Sequence, residues 1–200
     1  MLYSSGTKID NMKKLAILLL ICFSISPAFA QKKLKQHFEK DLISYTTAFN
    51  NKQWNVVTEM MYPRVFEMMS KDNMVMVMQG MDNMGVKMTT DFKSIDKISD
   101  VVESGKEKYC KIYYYGVVRV KLSGLMSQGS SLVQPKFEAE FGKENVKYNE
   151  ESNSFTIQAH RSMVAVADKK TDNWKYIDIN SPQAKGLQKL IPANVKQRLN

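Results

Sequence analysis

Tyr109-Cys110-Lys111-Ile112-Tyr113-Tyr114-Tyr115-Gly116-Val117-Val118-Arg119-Val120-Lys121-Leu122 is the stretch from which the fold is read. Side chains alternate between the two faces of a strand. Here Cys110, Ile112, Tyr114, Val118, Val120 and Leu122 form an apolar row, while Tyr113, Tyr115, Val117, Arg119 and Lys121 occupy the other side. Gly116 interrupts the apolar row and predicts a bulge. A strand of this kind buries one face and needs a second layer to bury it against.

The sequence supplies that layer upstream. Leu34, Phe38, Leu42, Tyr45 and Phe49 recur at three- and four-residue steps, the spacing of one helical face, until Asn50-Asn51 breaks the pattern. Trp54, Val57 and Met61 mark a second helix, which Pro63 ends by forcing Tyr62 out of helical geometry. Ser70 has the chemistry of an N-cap for a third helix over Lys71 to Asn83, with Asp72 in its first turn. After Gly85 the period becomes two, with Val86, Met88, Thr90 and Phe92 on one face.

Downstream, the pattern predicts a short helix over Pro135 to Phe141 and a hairpin joining Val146 to Tyr148 with Phe155 to Ala159. A second hairpin joins Met163 to Ala167 with Trp174 to Ile179 across the turn-rich Asp168 to Asn173. Ser181 to Leu199 offers Leu187, Leu190, Ile191 and Val195 as a docking face, divided at Pro192. No internal repeat or linker interrupts the series, so Gln31 to Asn200 reads as one α+β domain.

Ahead of it, Met12 to Ala30 has the layout of a secretory signal peptide: basic Lys13 and Lys14, an apolar core from Leu15 to Ile25, and Ala28-Phe29-Ala30 as a small-residue cleavage signal. The apolar core is shorter than the ~20 residues that span a bilayer. Cleavage after Ala30 is expected, giving an exported, periplasmic or secreted protein without a transmembrane anchor. Residues 1–11 read as an upstream extension. Removing the leader, with Lys8, Lys13, Lys14 and Asp10, leaves 170 of the 200 residues and lowers the net charge from +9 to +7. Cys110 then stands alone, and its apolar strand marks it as a small buried hydrophobe.

Ala48-Phe49-Asn50-Asn51-Lys52-Gln53-Trp54 through Met60-Met61-Tyr62-Pro63, together with the closing Trp174-Lys175-Tyr176-Ile177-Asp178-Ile179, resembles the helical hairpin and final strand of the nuclear transport factor 2-like (SnoaL-like) superfamily. The resemblance spans about Leu34 to Ile179. It implies N-terminal helices packed on a curved, mostly antiparallel sheet, a cone-like α+β barrel that often encloses a pocket and often dimerises through the sheet. The fold alone implies no reaction, because it hosts enzymes and binding modules alike. Where the superfamily's isomerases carry an acidic base, after the second helix, this chain has Tyr62-Pro63-Arg64, with Glu67 beyond it. Tyr45 could match the tyrosine those isomerases use as an oxyanion donor, but it falls in the apolar stripe, where core packing is the simpler role.

No catalytic residue, metal ligand set or cofactor motif emerges: there is no GxSxG, GxxxxGKS, HExxH or CxxC. Strand parity turns His160 to solvent and puts Arg161 in the apolar row. Either a bulge near His160 releases Arg161, or it projects into a pocket and could hold an anion. Tyr62, Tyr114 and Arg161 are thus the pocket candidates.

Ten of the fourteen methionines fall between Met60 and Met88, which raises a copper(I) reading, but Met74, Met78 and Met81 share a helix face that Met76 does not. Adaptable core filling against the Tyr109 to Leu122 row is the expected role. Tyr113, Tyr115, Trp174 and Tyr176 are expected to share the outer sheet face, a surface for a homodimer or an envelope protein partner. Nucleic acid is excluded as a partner, since Tyr113 to Arg119 lacks the leading Lys/Arg-Gly of an RNA-recognition strand. The leading reading is an exported, non-enzymatic protein that binds a small hydrophobic or anionic ligand or a protein partner. The alternatives are an isomerase-like or hydrolase-like enzyme and the copper(I) protein.

Overall fold

The computed structural model describes residues 27–180 and 184–199. The expected leader as far as Ser26 and the expected extension 1–11 lie outside the described residues. The chain divides into two compact units, Met1–Gln36 and His37–Asn200. Within the first, the described residues are helical and begin α1 (Pro27–Asn50), a helix that includes the expected cleavage position Ala30. No described helix is long and apolar enough to cross a membrane.

The second unit is α+β, with helices on a curled, mostly antiparallel sheet. α1 stops where Asn50 turns its side chain onto the sheet: its amide donates to the Thr90 carbonyl and its oxygen accepts the Thr90 N–H, both at 2.8 Å. Asn50 thereby acts as an edge partner for strand β1 (Val86–Ile98). Helix α2 (Trp54–Met60) ends ahead of Pro63, which opens a 3₁₀ turn over Pro63–Glu67. Helix α3 (Lys71–Asn83) starts as its cap predicts, the Ser70 hydroxyl accepting the Asn73 N–H at 3.3 Å.

The sheet is built on β3 (Glu107–Leu122) and β5 (Ser154–Asp168), paired without a break from Glu107↔Asp168 to Lys121↔Ser154. β1 and the short β2 (Val102–Ser104) flank β3, while β4 (Val146–Asn149) and β6 (Lys175–Asp178) flank opposite ends of β5. The expected bulge at Gly116 is not there. Gly116 pairs in register with both Phe92 and Ala159, and the register shifts fall on β1, between Phe92 and Ser94 and between Ile95 and Lys97. The glycine serves a close approach instead, because a Cβ there would lie 3.1 Å from the Asp91 carbonyl oxygen.

Both faces of the sheet carry a core. On the first, Val120, Leu122, Val146, Phe155 and Ile157 are covered by Phe137 and Phe141 of α4 (Ser130–Phe141), with the Phe137 ring edge-on to Phe155 at 5.2 Å. Toward the other end of that face, Phe38 of α1 meets Trp174 at 5.2 Å and Tyr176 at 6.3 Å. On the second face, Val102, Tyr109, Val164, Val166 and Ile177 pack under the C-terminal elements α5 (Ala184–Leu187) and α6 (Ala193–Arg198), through Leu190, Ile191, Val195 and Leu199. The docking residues read from Ser181 to Leu199 are therefore in place, with Pro192 capping α6.

This second core corrects two expectations. Ile177 pairs with Val164 and faces the C-terminal helices, so its neighbour Tyr176, paired with Ala165, points to the first face. Trp174 and Tyr176 are buried there against Phe38 and are not part of an outer patch. The methionines of α3 do not cover the β3 row either. No residue of α3 is buried, Met74 packs against the second-face core, and Met78 and Met81 line a small recess with Phe49, Trp54 and Met88. α1 and α4 already cover the row. Ile177→Ala should accordingly cost about 2–5 kcal/mol, and Met76→Ala, at a side chain 65% exposed, should stay within about 0.5 kcal/mol, both measured by urea unfolding.

Candidate functional site

Between α1 and α4 the first face of the sheet is left partly uncovered. The gap is a groove of about 320 Å³, lined by Tyr45 and Phe49 of α1, Phe137, Glu140 and Phe141 of α4, and Tyr114, Val118, Ala159 and Arg161 of the sheet. A smaller recess of about 80 Å³, lined by Asp41, Met60, Met163 and Tyr176, adjoins it, and Tyr45, Tyr114 and Asp178 border both. The groove exists because α4 covers one end of the face and α1 the other. Gly116 and Ala159, paired across β3 and β5, supply no bulk between them.

Arg161 is the polar centre. The unbroken register sets it opposite Tyr114, so of the two outcomes expected for its parity the structure takes the second, projection into the groove. Its side chain is 14% exposed, and its guanidinium donates to Glu140 Oε1 at 2.7 Å and to Asp178 Oδ2 at 3.4 Å. It also lies over the Phe141 ring, 5.0 Å from the centroid. Burial acts to lower its pKa, but the Glu140 hydrogen bond and the Asp178 charge outweigh burial and hold it above the ordinary arginine value. The guanidinium is therefore already engaged by two of the protein's own carboxylates, and an anion held there would share it with them.

The tyrosines complete the site. Tyr114 lines the groove as expected, and its hydroxyl, like that of Tyr45, has no hydrogen-bond partner among the described residues. Burial, reinforced by the Asp178 carboxylate, pushes Tyr45 up to about 12 and raises Tyr114 as well. Tyr176 donates its hydroxyl to Asp41, and burial with that hydrogen bond raises its pKa strongly. Tyr45 also stacks on Phe49 at 6.2 Å, so its ring packs as expected while its side chain borders the groove.

Tyr62 lies apart from the other two candidates. Its ring is buried in the second-face core, and its hydroxyl donates to Glu107 Oε1 at 2.8 Å beside Tyr109, which donates to Oε2 at 2.6 Å. It does not reach the groove between α1 and α4 and lines instead a separate, open recess of about 300 Å³ with Arg64, Glu107 and Lys175. Glu67 pairs with Arg64 at 3.1 Å on the surface. His160 is exposed as expected, stacked on Tyr115 at 4.8 Å and 3.4 Å from Asp96. The ammonium groups of Lys97 and Lys111 lie 4.4 and 4.7 Å from the Tyr113 ring centroid. Of the four rings expected to form an outer patch, Tyr113 and Tyr115 remain, both half-buried. The buried thiol of Cys110 is pushed up to about 11 by desolvation and is inert at neutral pH.

No family model and no curated protein matches the chain.

Sequence reasoning missed Asp41, Glu140 and Asp178. The signal available was spacing: Phe137, Glu140 and Phe141 share one helical face, which puts an acid among half-buried aromatics. The tyrosines give a pH prediction whose sign follows from linkage. Tyr45, Tyr114 and Tyr176 titrate above the roughly pH 10 of an unfolded tyrosine, so above that pH the unfolded state sheds protons that the folded state keeps. Their contribution is intact below about pH 10 and is lost as pH rises toward the folded values. Urea midpoints should fall steeply beyond about pH 10, with tyrosinate absorbance of these groups rising together with unfolding and not before it.

Proposed function

We propose that this chain is an exported, non-enzymatic binding protein of the nuclear transport factor 2-like type, which holds a small apolar molecule in the groove between α1 and α4. The observation that carries the reading is the groove itself: an open concavity on the sheet, walled mainly by aromatic and aliphatic side chains, with a few polar groups at its centre, is the anatomy of a small-molecule site. The non-enzymatic part rests on the engagement of the groove's carboxylates. Glu140 and Asp178 accept from Arg161, and Asp41 accepts from Tyr176, whereas a general base must be free to take a proton from the substrate. Export rests on the leader before Gln31.

The test is titration with an uncharged fluorescent apolar probe, N-phenyl-1-naphthylamine, followed by native mass spectrometry of the purified protein for any retained molecule. The wild type should bind the probe at a single saturable site. Val118→Trp, which fills the floor of the groove, should weaken binding at least about tenfold, roughly 1.4 kcal/mol. Absence of saturable binding, or binding unchanged in a folded Val118→Trp variant, would count against the reading.

A further inference from the structure

The groove is not electrically neutral. Asp41, Glu140 and Asp178 line it and its recess, against one cation, Arg161, and no lysine among the described lining residues. His37, 3.5 Å from Asp41, is half exposed beside the recess and offers at most one further positive charge. Asp178 sits at the junction of groove and recess. Its Oδ2 is shared with Arg161 at the longer distance of 3.4 Å, and its Oδ1 accepts the Asn180 N–H at 2.8 Å. The walls beside it are the rings of Tyr45 and Tyr114, with Phe49 and Phe141 further along. That these walls accept a cation face-on is visible in the Arg161 guanidinium over Phe141.

An anionic ligand would share Arg161 with Glu140 and Asp178 and meet the repulsion of both carboxylates. A cation meets the opposite situation. It adds the missing positive charge where apolar walls weaken screening, and aromatic faces bind ammonium groups directly.

We propose that the ligand is an amphiphile with an ammonium-type head and an apolar body, the head beside Asp178 between Tyr45 and Tyr114, the body along Val118, Val120 and Phe137. This rests on the small-molecule reading above and specifies the ligand's charge.

The test uses three probes with one tail and different heads, decylammonium, decanol and decanoate, titrated at neutral pH below the concentrations at which they self-associate. Decylammonium should bind at least about tenfold more tightly than decanoate, with decanol between them. The protein's net charge of +9 favours decanoate nonspecifically, so this order has to come from the groove. Asp178→Asn should reduce the preference for decylammonium over decanoate about tenfold. Glu140→Gln, which frees Arg161, should move the preference the same way and serves if Asp178→Asn does not fold. Decanoate as the tightest binder, or equal binding of all three, overturns the charge assignment while the groove remains a ligand site. Binding of none of the three overturns both readings.

Discussion

The register between β3 and β5 is the constraint on which the structure depends. Because side chains alternate with a period of two, a slip of one residue would send every apolar side chain of β5 to the wrong face. The pairing Cys110↔Ala165, Ile112↔Met163 and Tyr114↔Arg161 continues through Gly116↔Ala159 to Val120↔Phe155 without interruption. It places Phe155 and Ile157 under α4, keeps Ala159 small beside Gly116, and leaves Arg161 no exit from the first face. β6 then inherits the same parity through Met163↔Asp178, which delivers a carboxylate to the guanidinium. The polar centre of the groove thus follows from one strand pairing.

Two cores on one sheet explain why the groove stays open. The C-terminal helices bury Tyr109, Val164, Val166 and Ile177 from behind, so the long strands are anchored without help from the groove side. On the groove side α1 and α4 each cover part of the face, and the salt bridge from Arg161 to Glu140 ties α4 to the strand beneath it. The pair is partly exposed, so desolvation and solvent screening both limit what it adds to net stability. It does specify geometry. The same pair keeps polar groups at the middle of an otherwise apolar groove, where they select what can enter.

Much of the architecture was legible in the sequence. Helix α3 carries the limits read from its cap and period, the even positions of β3 share one face as read although Val117 on the other face is buried too, and the docking residues of the C-terminal segment pack into the second-face core. One source of error is the second layer of helices. Periodicity says that Ile177 and Ile179 share a face, but not which layer covers it, and with helices on both faces an apolar row no longer identifies the groove side. That ambiguity put Trp174 and Tyr176 outside when they pack against Phe38. Arg161 was recognisable as an anomaly because a charge in an apolar row demands an explanation, whereas its partners lie 21 and 17 residues away and only the folded chain brings them to it. Tyr62 sits away from the other candidates because the turn at Pro63 carries it to Glu107, a contact with no local signature.

The central claim is that Arg161 is held inside the groove by Glu140 and Asp178. Equilibrium urea unfolding of Arg161→Met, which keeps the length of the side chain and removes its charge, tests it most directly. If the guanidinium is engaged as described, the variant should lose about 1.5–3 kcal/mol, the worth of hydrogen bonds to charged groups. A change within about 0.5 kcal/mol, as expected of a surface substitution, would place Arg161 in solvent and contradict the account.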